Sequence, residues 1–248
     1  DVWVFERGRS VGTRITAEEG REFGAEWTPD GRELIFSSER PFFDLYRRAA
    51  DATHAAEPLL TGRYDHYTGS VSRDGSLFAF VLAAPGGELW TVPLRSTPVA
   101  TRYFANGFNL GHPTLSPDGR WMAYDSDESG GVDVFIQSFP DPKQKRQKVS
   151  LAHGSEPMWT RGGRELVYRE GDKMLAVDID LTTGASGPPR TLFSGPYPSN
   201  QGWTRPRSYD VTPDGDRFLL TKLPGEQPRP RIVVVLNWFE ELLAKVPR

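Results

Sequence analysis

Several stretches of this sequence place reactive or charged residue types at spacings that suit known chemistry. Gly8-Arg9-Ser10-Val11-Gly12 spells G-x-S-x-G, the pattern that holds a nucleophilic serine on a strained strand-to-helix turn. Here strand-like residues lie on both sides, Val2-Trp3-Val4-Phe5 before and Thr13-Arg14-Ile15-Thr16 after, so the match reads as a hairpin rather than an elbow. Asp125-Ser126-Asp127-Glu128-Ser129-Gly130, followed by Asp133, follows the first nine positions of a calcium loop. The bidentate Glu needed at the twelfth position is Ile136, and the flanks are strands, so a solvated acidic loop over 125–131 is the expectation. His54, His66, His112 and His153 show no metal-ligand spacing. The chain has no cysteine, which removes a thiolate nucleophile and any disulfide. We expect no catalytic residue, no cofactor and no metal.

Charge narrows the partners. With 30 basic and 33 acidic residues the net charge is −3, so no global field draws nucleic acid. The basic run Lys143, Lys145, Arg146, Lys148 is confined to one loop and reads as solvated. No apolar run approaches the roughly 18 residues of a membrane span, so direct membrane insertion is not expected.

The strongest signal is an internal repeat. A turn occurs as Thr28-Pro29-Asp30-Gly31, Ser72-Arg73-Asp74-Gly75 and Ser116-Pro117-Asp118-Gly119, degrades to Thr160-Arg161-Gly162-Gly163, and returns as Thr212-Pro213-Asp214-Gly215. The last glycines of these turns are 44, 44, 44 and 52 residues apart. Pro pre-sets φ, Asp bonds the backbone two residues on, and Gly accepts positive φ. In the unit over 113–139 a short strand at Thr114–Leu115 precedes the turn. An apolar strand (Trp121 to Tyr124) and an alternating one (Asp133 to Phe139) follow it. A weaker fourth strand closes each unit.

Four short strands every ~40–45 residues form the pattern of a β-propeller blade, an all-β fold of four-stranded antiparallel sheets around one axis. The second strands (Leu34-Ile35-Phe36, Leu77 to Phe80, Trp121 to Tyr124, Leu166-Val167-Tyr168, Phe218-Leu219-Leu220) are apolar on both faces. That suits a sheet sandwiched between two others. The chain enters out of phase, since Asp1 to Phe5 and Thr13 to Thr16 match a third and a fourth strand. We therefore expect one propeller domain or fragment. It comprises an outer half-blade over 1–16, blades over 17–60, 61–104, 105–150, 151–194 and 195–237, and a closing helix over 238–246. Asn237 and Glu240 have capping-box spacing for that helix. The out-of-phase start at Asp1 predicts a piece of a longer protein, with a covalently linked upstream domain.

Counting back six from each turn Asp, or from Gly162 in its place, gives Gly24, Thr68, His112, Glu156 and Ser208. These lie just before the predicted innermost strands and hence at one mouth of the central channel. Glu22, His66, Glu156 and Arg207 add charge there. The candidate ligand-binding set is therefore Glu22, His66, Thr68, His112, Glu156, Arg207 and Ser208. Loops on a rigid scaffold and concave mouths are common binding sites.

These residues also support a resemblance. Leu115-Ser116-Pro117-Asp118-Gly119-Arg120-Trp121-Met122-Ala123-Tyr124, with Ser126 to Gly130, resembles TolB-like, WD-repeat-like bacterial β-propellers. The ending Val233-Val234-Val235-Leu236-Asn237-Trp238-Phe239-Glu240-Glu241-Leu242 is similar to the C-terminal propeller of bacterial serine/threonine protein kinases. The resemblance covers essentially the whole chain, and no kinase residues are present. It implies a non-enzymatic sensor or scaffold module of a signalling protein, binding a protein, a peptide or a small ligand. It places an extracytoplasmic, periplasmic location ahead of a cytoplasmic one. Two other readings stay open: a propeller gating a prolyl-oligopeptidase-like serine peptidase, and a TolB-like periplasmic scaffold. The lost Pro and Asp at Arg161-Gly162 and the 52-residue interval depart from the pattern.

Overall fold

The computed structural model of the protein describes residues 1–6, 8, 11–40, 42–198, 202–222 and 231–235, the last of these as backbone. The closing helix expected over 238–246 and the serine of G-x-S-x-G lie outside these residues. Among the described residues no helix is long and apolar enough to cross a membrane.

Each repeat unit folds as one antiparallel meander, with strands paired in chain order. An outer pair comes first, β1 (Trp3–Phe5) and β2 (Gly12–Arg14). Blade I is β3 (Glu22–Trp27), β4 (Glu33–Glu39), β5 (Phe43–Ala49) and β6 (Glu57–Leu60). Blade II is β7 (His66–Val71), β8 (Leu77–Leu82), β9 (Glu88–Pro93) and β10 (Thr101–Phe104). Blade III is β11 (Leu110–Leu115), β12 (Trp121–Ser126), β13 (Asp133–Ser138) and β14 (Arg146–Lys148). Blade IV is β15 (Ser155–Thr160), β16 (Glu165–Glu170), β17 (Lys173–Asp178) and β18 (Arg190–Ser194). Blade V shows β19 (Tyr209–Val211), β20 (Phe218–Lys222) and β21 (Arg231–Val235). This is the expected propeller, five blade units and the outer half of a sixth.

The turns work as their composition predicts. In blade III the Ser116 hydroxyl donates to Asp118 Oδ1 at 2.6 Å, the Arg120 N–H donates to the same oxygen at 3.1 Å, and the Trp121 N–H donates to Ser116 Oγ at 2.9 Å. Gly119 sits at φ +69°, where a Cβ is costly. The same hydroxyl-to-Asp bond recurs at Thr28–Asp30, Ser72–Asp74 and Thr212–Asp214. The degenerate turn still closes, as a single 3-10 turn over Arg161–Gly163 with all three residues at positive φ. There the Arg161 N–H reaches across to the Pro213 carbonyl at 2.8 Å, tying the turn of blade IV to that of blade V.

The core is divided among the blade interfaces. Five apolar clusters each bridge two consecutive sheets, for example Phe78, Phe80 and Ile35 between blades I and II, and Trp121, Val134, Leu166 and Tyr168 between III and IV. All six residues of β12 are buried, as a strand covered on both faces requires. In β20, although Phe218-Leu219-Leu220 is apolar throughout, Phe218 and Leu220 are buried and Leu219 is 41% exposed. Among the described residues blade V therefore has a neighbour on one face, and on the other a hollow of about 490 Å3 separates β19 and β20 from β3.

Two local expectations are corrected. The innermost strand of blade III is not the short Thr114–Leu115 but runs from Leu110, passing Gly111, His112 and Pro113 through a bulge. The acidic loop does not begin at Asp125, since Asp125 and Ser126 complete β12 and are buried. Gly, Pro and acidic residues argue against a strand locally, and burial between two blades overrides that preference.

Candidate functional site

The bulge positions define the site. Gly24, His112 and Glu156 have φ of +65°, +47° and +59°, and each lies within the register shift of its innermost strand. They sit inside β3, β11 and β15 rather than ahead of them, and Thr68 occupies the matching place in β7, paired with Phe80. A bulge re-aims the backbone locally. Here it turns carbonyls toward the channel axis, where one cation collects them. Arg207, on the connection from blade IV to blade V, donates to the carbonyls of Gly69 (2.8 Å), His112 and Pro113 (3.0 Å each) and Pro157 (3.2 Å), and to Glu26 Oε1 at 3.3 Å. Its side chain is only 8% exposed. One guanidinium thus joins the innermost strands of blades I to IV.

This explains the 52-residue interval. The extra residues belong to the connection between β18 and β19, described over 195–198 and 202–208; the second of these stretches crosses the channel mouth. Thr204 reaches the Tyr67 hydroxyl of blade II. Trp203 packs on Gly111 of blade III, where an added Cβ would come within 3.1 Å of Trp203 Cα. Ser208 donates from its N–H and, at 2.7 Å, from its hydroxyl to Glu156 Oε2.

Around Glu156 the buried polar groups link up. Its N–H donates to Asp125 Oδ2 at 2.8 Å, and the same oxygen accepts from His112 Nδ1 at 2.7 Å. The Tyr209 hydroxyl donates to the Glu156 carbonyl at 2.6 Å; burial, with the Glu156 charge, holds that phenol protonated. Arg169 Nη1 donates to Ser208 Oγ at 2.9 Å. Burial opposes a charge on His112, but Asp125, aided by Glu156, outweighs it and raises the imidazole pKa. In the channel, burial pushes the Glu26 carboxyl up to about 7, with Asp210 adding to the shift and Arg207 opposing it. His112 and Asp125 resemble the orienting half of a catalytic triad, but among the described residues no hydrogen-bonding partner lies within reach of His112 Nε2.

Of the candidate set, His112, Glu156, Arg207 and Ser208 come together. Glu22 and His66 do not join them. Glu22 is buried within blade I, accepting from the Ser38 hydroxyl at 3.1 Å. His66 lies between blades I and II, its Nδ1 3.2 Å from the Phe43 carbonyl and 3.3 Å from Asp44, with burial lowering its pKa. The remaining charged motifs are spent internally. Asp127 accepts from Asn109, Glu128 pairs with Arg146, and Asp133 pairs with Lys148 and Ser150. Arg146 also stacks on Phe135, 4.3 Å from the ring centre, so the basic run is no free patch. Among the described residues no His, Asp or Glu cluster suits a metal.

Three residues of the site escape the count of six before the turn Asp: Asp125, Arg169 and Trp203. They line a cavity of about 470 Å3 between blades III and IV, together with His112, His153 and glycines 131, 154, 171 and 202. Asp125 and Arg169 were findable. They occupy one repeat position, 44 residues apart, with Ser37 and Val81 as its copies in blades I and II and Thr221 in blade V. The polar copies in blades I, III and IV bond the next blade, Ser37 Oγ donating to the His66 carbonyl at 2.8 Å, Asp125 accepting from Glu156, and Arg169 donating to Ser208.

Comparison with known proteins supports the fold. No family model matches the chain. Teneurin-1 of Gallus gallus is 25% identical over 148 residues, covering 58% of this chain and 5% of teneurin-1. TolB from Acinetobacter baumannii superposes with a TM-score of 0.68 at 15% identity, over 87% of this chain and 52% of that one. A structure from work on two prolyl endopeptidases gives a TM-score of 0.53 at 15% identity, over 82% of this chain and 32% of that one. The chain thus spans about half the length of TolB and a small part of the other two. The likeness identifies the architecture as a TolB-like β-propeller.

Proposed function

We propose that the chain is a non-enzymatic recognition module whose channel-mouth face binds a protein or peptide partner. The observation that carries this reading is a set of exposed apolar side chains around the mouth. Phe42, Tyr64, Phe108 and Leu151 are all exposed, and all lie in loops at the end of the blades where the innermost strands begin. Phe42 is in the β4–β5 hairpin, Tyr64, Phe108 and Leu151 in the connections between successive blades. Aromatic anchors spaced around a rigid rim suit a protein interface. The 202–208 connection stiffens the rim by tying Arg207 to four blades, so little order is lost on docking. The candidate residues Glu22, His66 and Thr68 then support the rim or border it, while His112, Glu156, Arg207 and Ser208 form its floor.

The kinase-associated sensor or scaffold role, in a longer signalling protein, rests on the resemblance of residues 233–242 and is part of the same proposal. A gating propeller of a serine peptidase is the second reading, favoured by the superposition on a prolyl endopeptidase structure. Sequencing the coding region on both sides of the chain separates them: a kinase domain upstream supports the first, a hydrolase domain downstream the second. For binding itself, the test is a pull-down from the source cell with the wild-type protein and a Phe42→Ser/Tyr64→Ser/Phe108→Ser variant. A polypeptide retained by the first and lost with the second supports the reading. Equal retention, or none by either, refutes it.

A further inference from the structure

The cavity between blades III and IV has a wall of buried polar atoms that the described residues do not satisfy. Among the described residues, His112 Nε2, Arg169 Nε and Trp203 Nε1 are shielded from solvent without a hydrogen-bond partner, and Asp125 Oδ1 beside them also has none. All four residues line the cavity. His112, Asp125 and Arg169 are each less than 5% exposed. Unmade hydrogen bonds at buried groups are costly and normally rare, so several on one wall point to a bound group.

The chemistry of that group follows from the donors. Arg169 uses its other nitrogens on the carbonyls of Gly171, Tyr197 and Pro198 and on Ser208 Oγ, all neutral acceptors. Among the described residues no carboxylate forms an ion pair with it. A buried guanidinium with no ion-paired carboxylate among the described residues, with an indole N–H and an imidazole alongside, suits a carboxylate. Asp125 Oδ1 asks for a donor on the same ligand. A hydroxyl meets that need better than an ammonium, which would sit against Arg169 and His112. The volume holds a molecule of about six carbons.

We propose that this cavity binds a small hydroxycarboxylate, the carboxylate received by Arg169, Trp203 and His112 and a hydroxyl donated to Asp125. This site borders the proposed protein-docking rim and shares with it His112, and Trp203 of the 202–208 connection, but its occupant does not depend on that reading.

Gluconate is the probe, with glucose (hydroxyls without charge) and hexanoate (charge without hydroxyls) as controls. Calorimetric titration and tryptophan emission are the readouts. Gluconate is expected to bind saturably at least about tenfold more tightly than either control. Trp203→Phe should weaken it about tenfold, and His112→Asn similarly, Asn being tolerant of the positive φ at that position. The Phe42→Ser/Tyr64→Ser/Phe108→Ser variant should bind gluconate as the wild type does. Gluconate no tighter than glucose or hexanoate, or undiminished in Trp203→Phe, overturns the proposal. If His112→Asn does not fold, the Trp203→Phe titration alone decides.

Discussion

The guanidinium of Arg207 lies 2.8 Å from the carbonyl oxygen of Gly69, which comes 138 residues earlier in the chain. The same side chain holds carbonyls of blades III and IV and the Glu26 carboxylate of blade I. The channel mouth, where the sequence places a candidate ligand-binding set, is crossed by a cation bonded on all sides.

Arg207→Met removes these bonds and leaves buried carbonyls without donors. It should lower the stability by about 2–4 kcal/mol, read as a shift in the urea midpoint at unchanged slope. Arg205→Ala, on the same connection but exposed, should stay within about 0.5 kcal/mol of wild type. A wild-type midpoint for Arg207→Met would mean that the carbonyls find other donors.

Glu26 gives a dependence on pH with a defined sign. Its folded pKa of about 7 lies above the usual 4.5, chiefly through burial. The native state therefore holds this proton more tightly than the unfolded chain, and the contribution fades as pH rises from about 4.5 to 7. Glu26→Gln keeps an acceptor for Arg207 and carries no charge. Its advantage over wild type in thermal midpoint should grow between about pH 5 and pH 8. With 34% of the side chain exposed, the effect is screened and modest. A difference that is constant or shrinks over that range would contradict the assignment.

The turn aspartates act in the opposite direction. Hydrogen bonds from Ser72 and Ser76 hold Asp74 at about 2, below its usual 3.8, and Asp30 and Asp214 are lowered by the same kind of bonds. Their stabilising contribution is present above about pH 4 and is lost as pH falls toward 2. Asp74→Asn should be less stable than wild type at neutral pH, and the gap should close on acidification. Parallel pH profiles for the two proteins would show that Asp74 does not titrate as described.

A Cβ added to Gly119 would meet nothing within 4 Å, so Gly119→Ala isolates the cost of its φ of +69°. We expect about 1–2 kcal/mol of destabilisation, and less for Gly119→Asn. Equal stability of Ala and Gly here would argue that the turn relaxes.

Calcium should leave the thermal midpoint unchanged, because Asp127, Glu128 and Asp133 already have protein partners. A midpoint that rises with added calcium and returns with a chelator would place the ion in that loop after all.

The fold was legible because its signal is repeated. Each turn carries its own mechanism, and the 44-residue spacing marks the blade without any knowledge of tertiary contacts. The site was legible only in part. His112 and Glu156 were found by counting from the turns, but a count cannot show that they sit on bulges, because Gly111 and Pro113 disguise the strand they belong to. Asp125 looked like the start of a solvated loop, since acid next to Ser and Asp gives no local sign of being clamped between two sheets. Trp203 had no signal beyond its place in the longest interval. Glu22 and His66 were drawn toward the channel by charge alone, and charge does not record which side of a strand a residue occupies.

The connection at 202–208 also sets an order of assembly. Its contacts fall on residues 26, 67, 69, 111, 112, 113, 156, 157 and 169, so it has little to grip until four sheets stand in place. A chain emerging from the ribosome would make these four sheets one by one before the segment that fastens them appears. Loosening that fastening exposes every earlier sheet at its inner edge together, so a fold built of local copies comes apart as one unit.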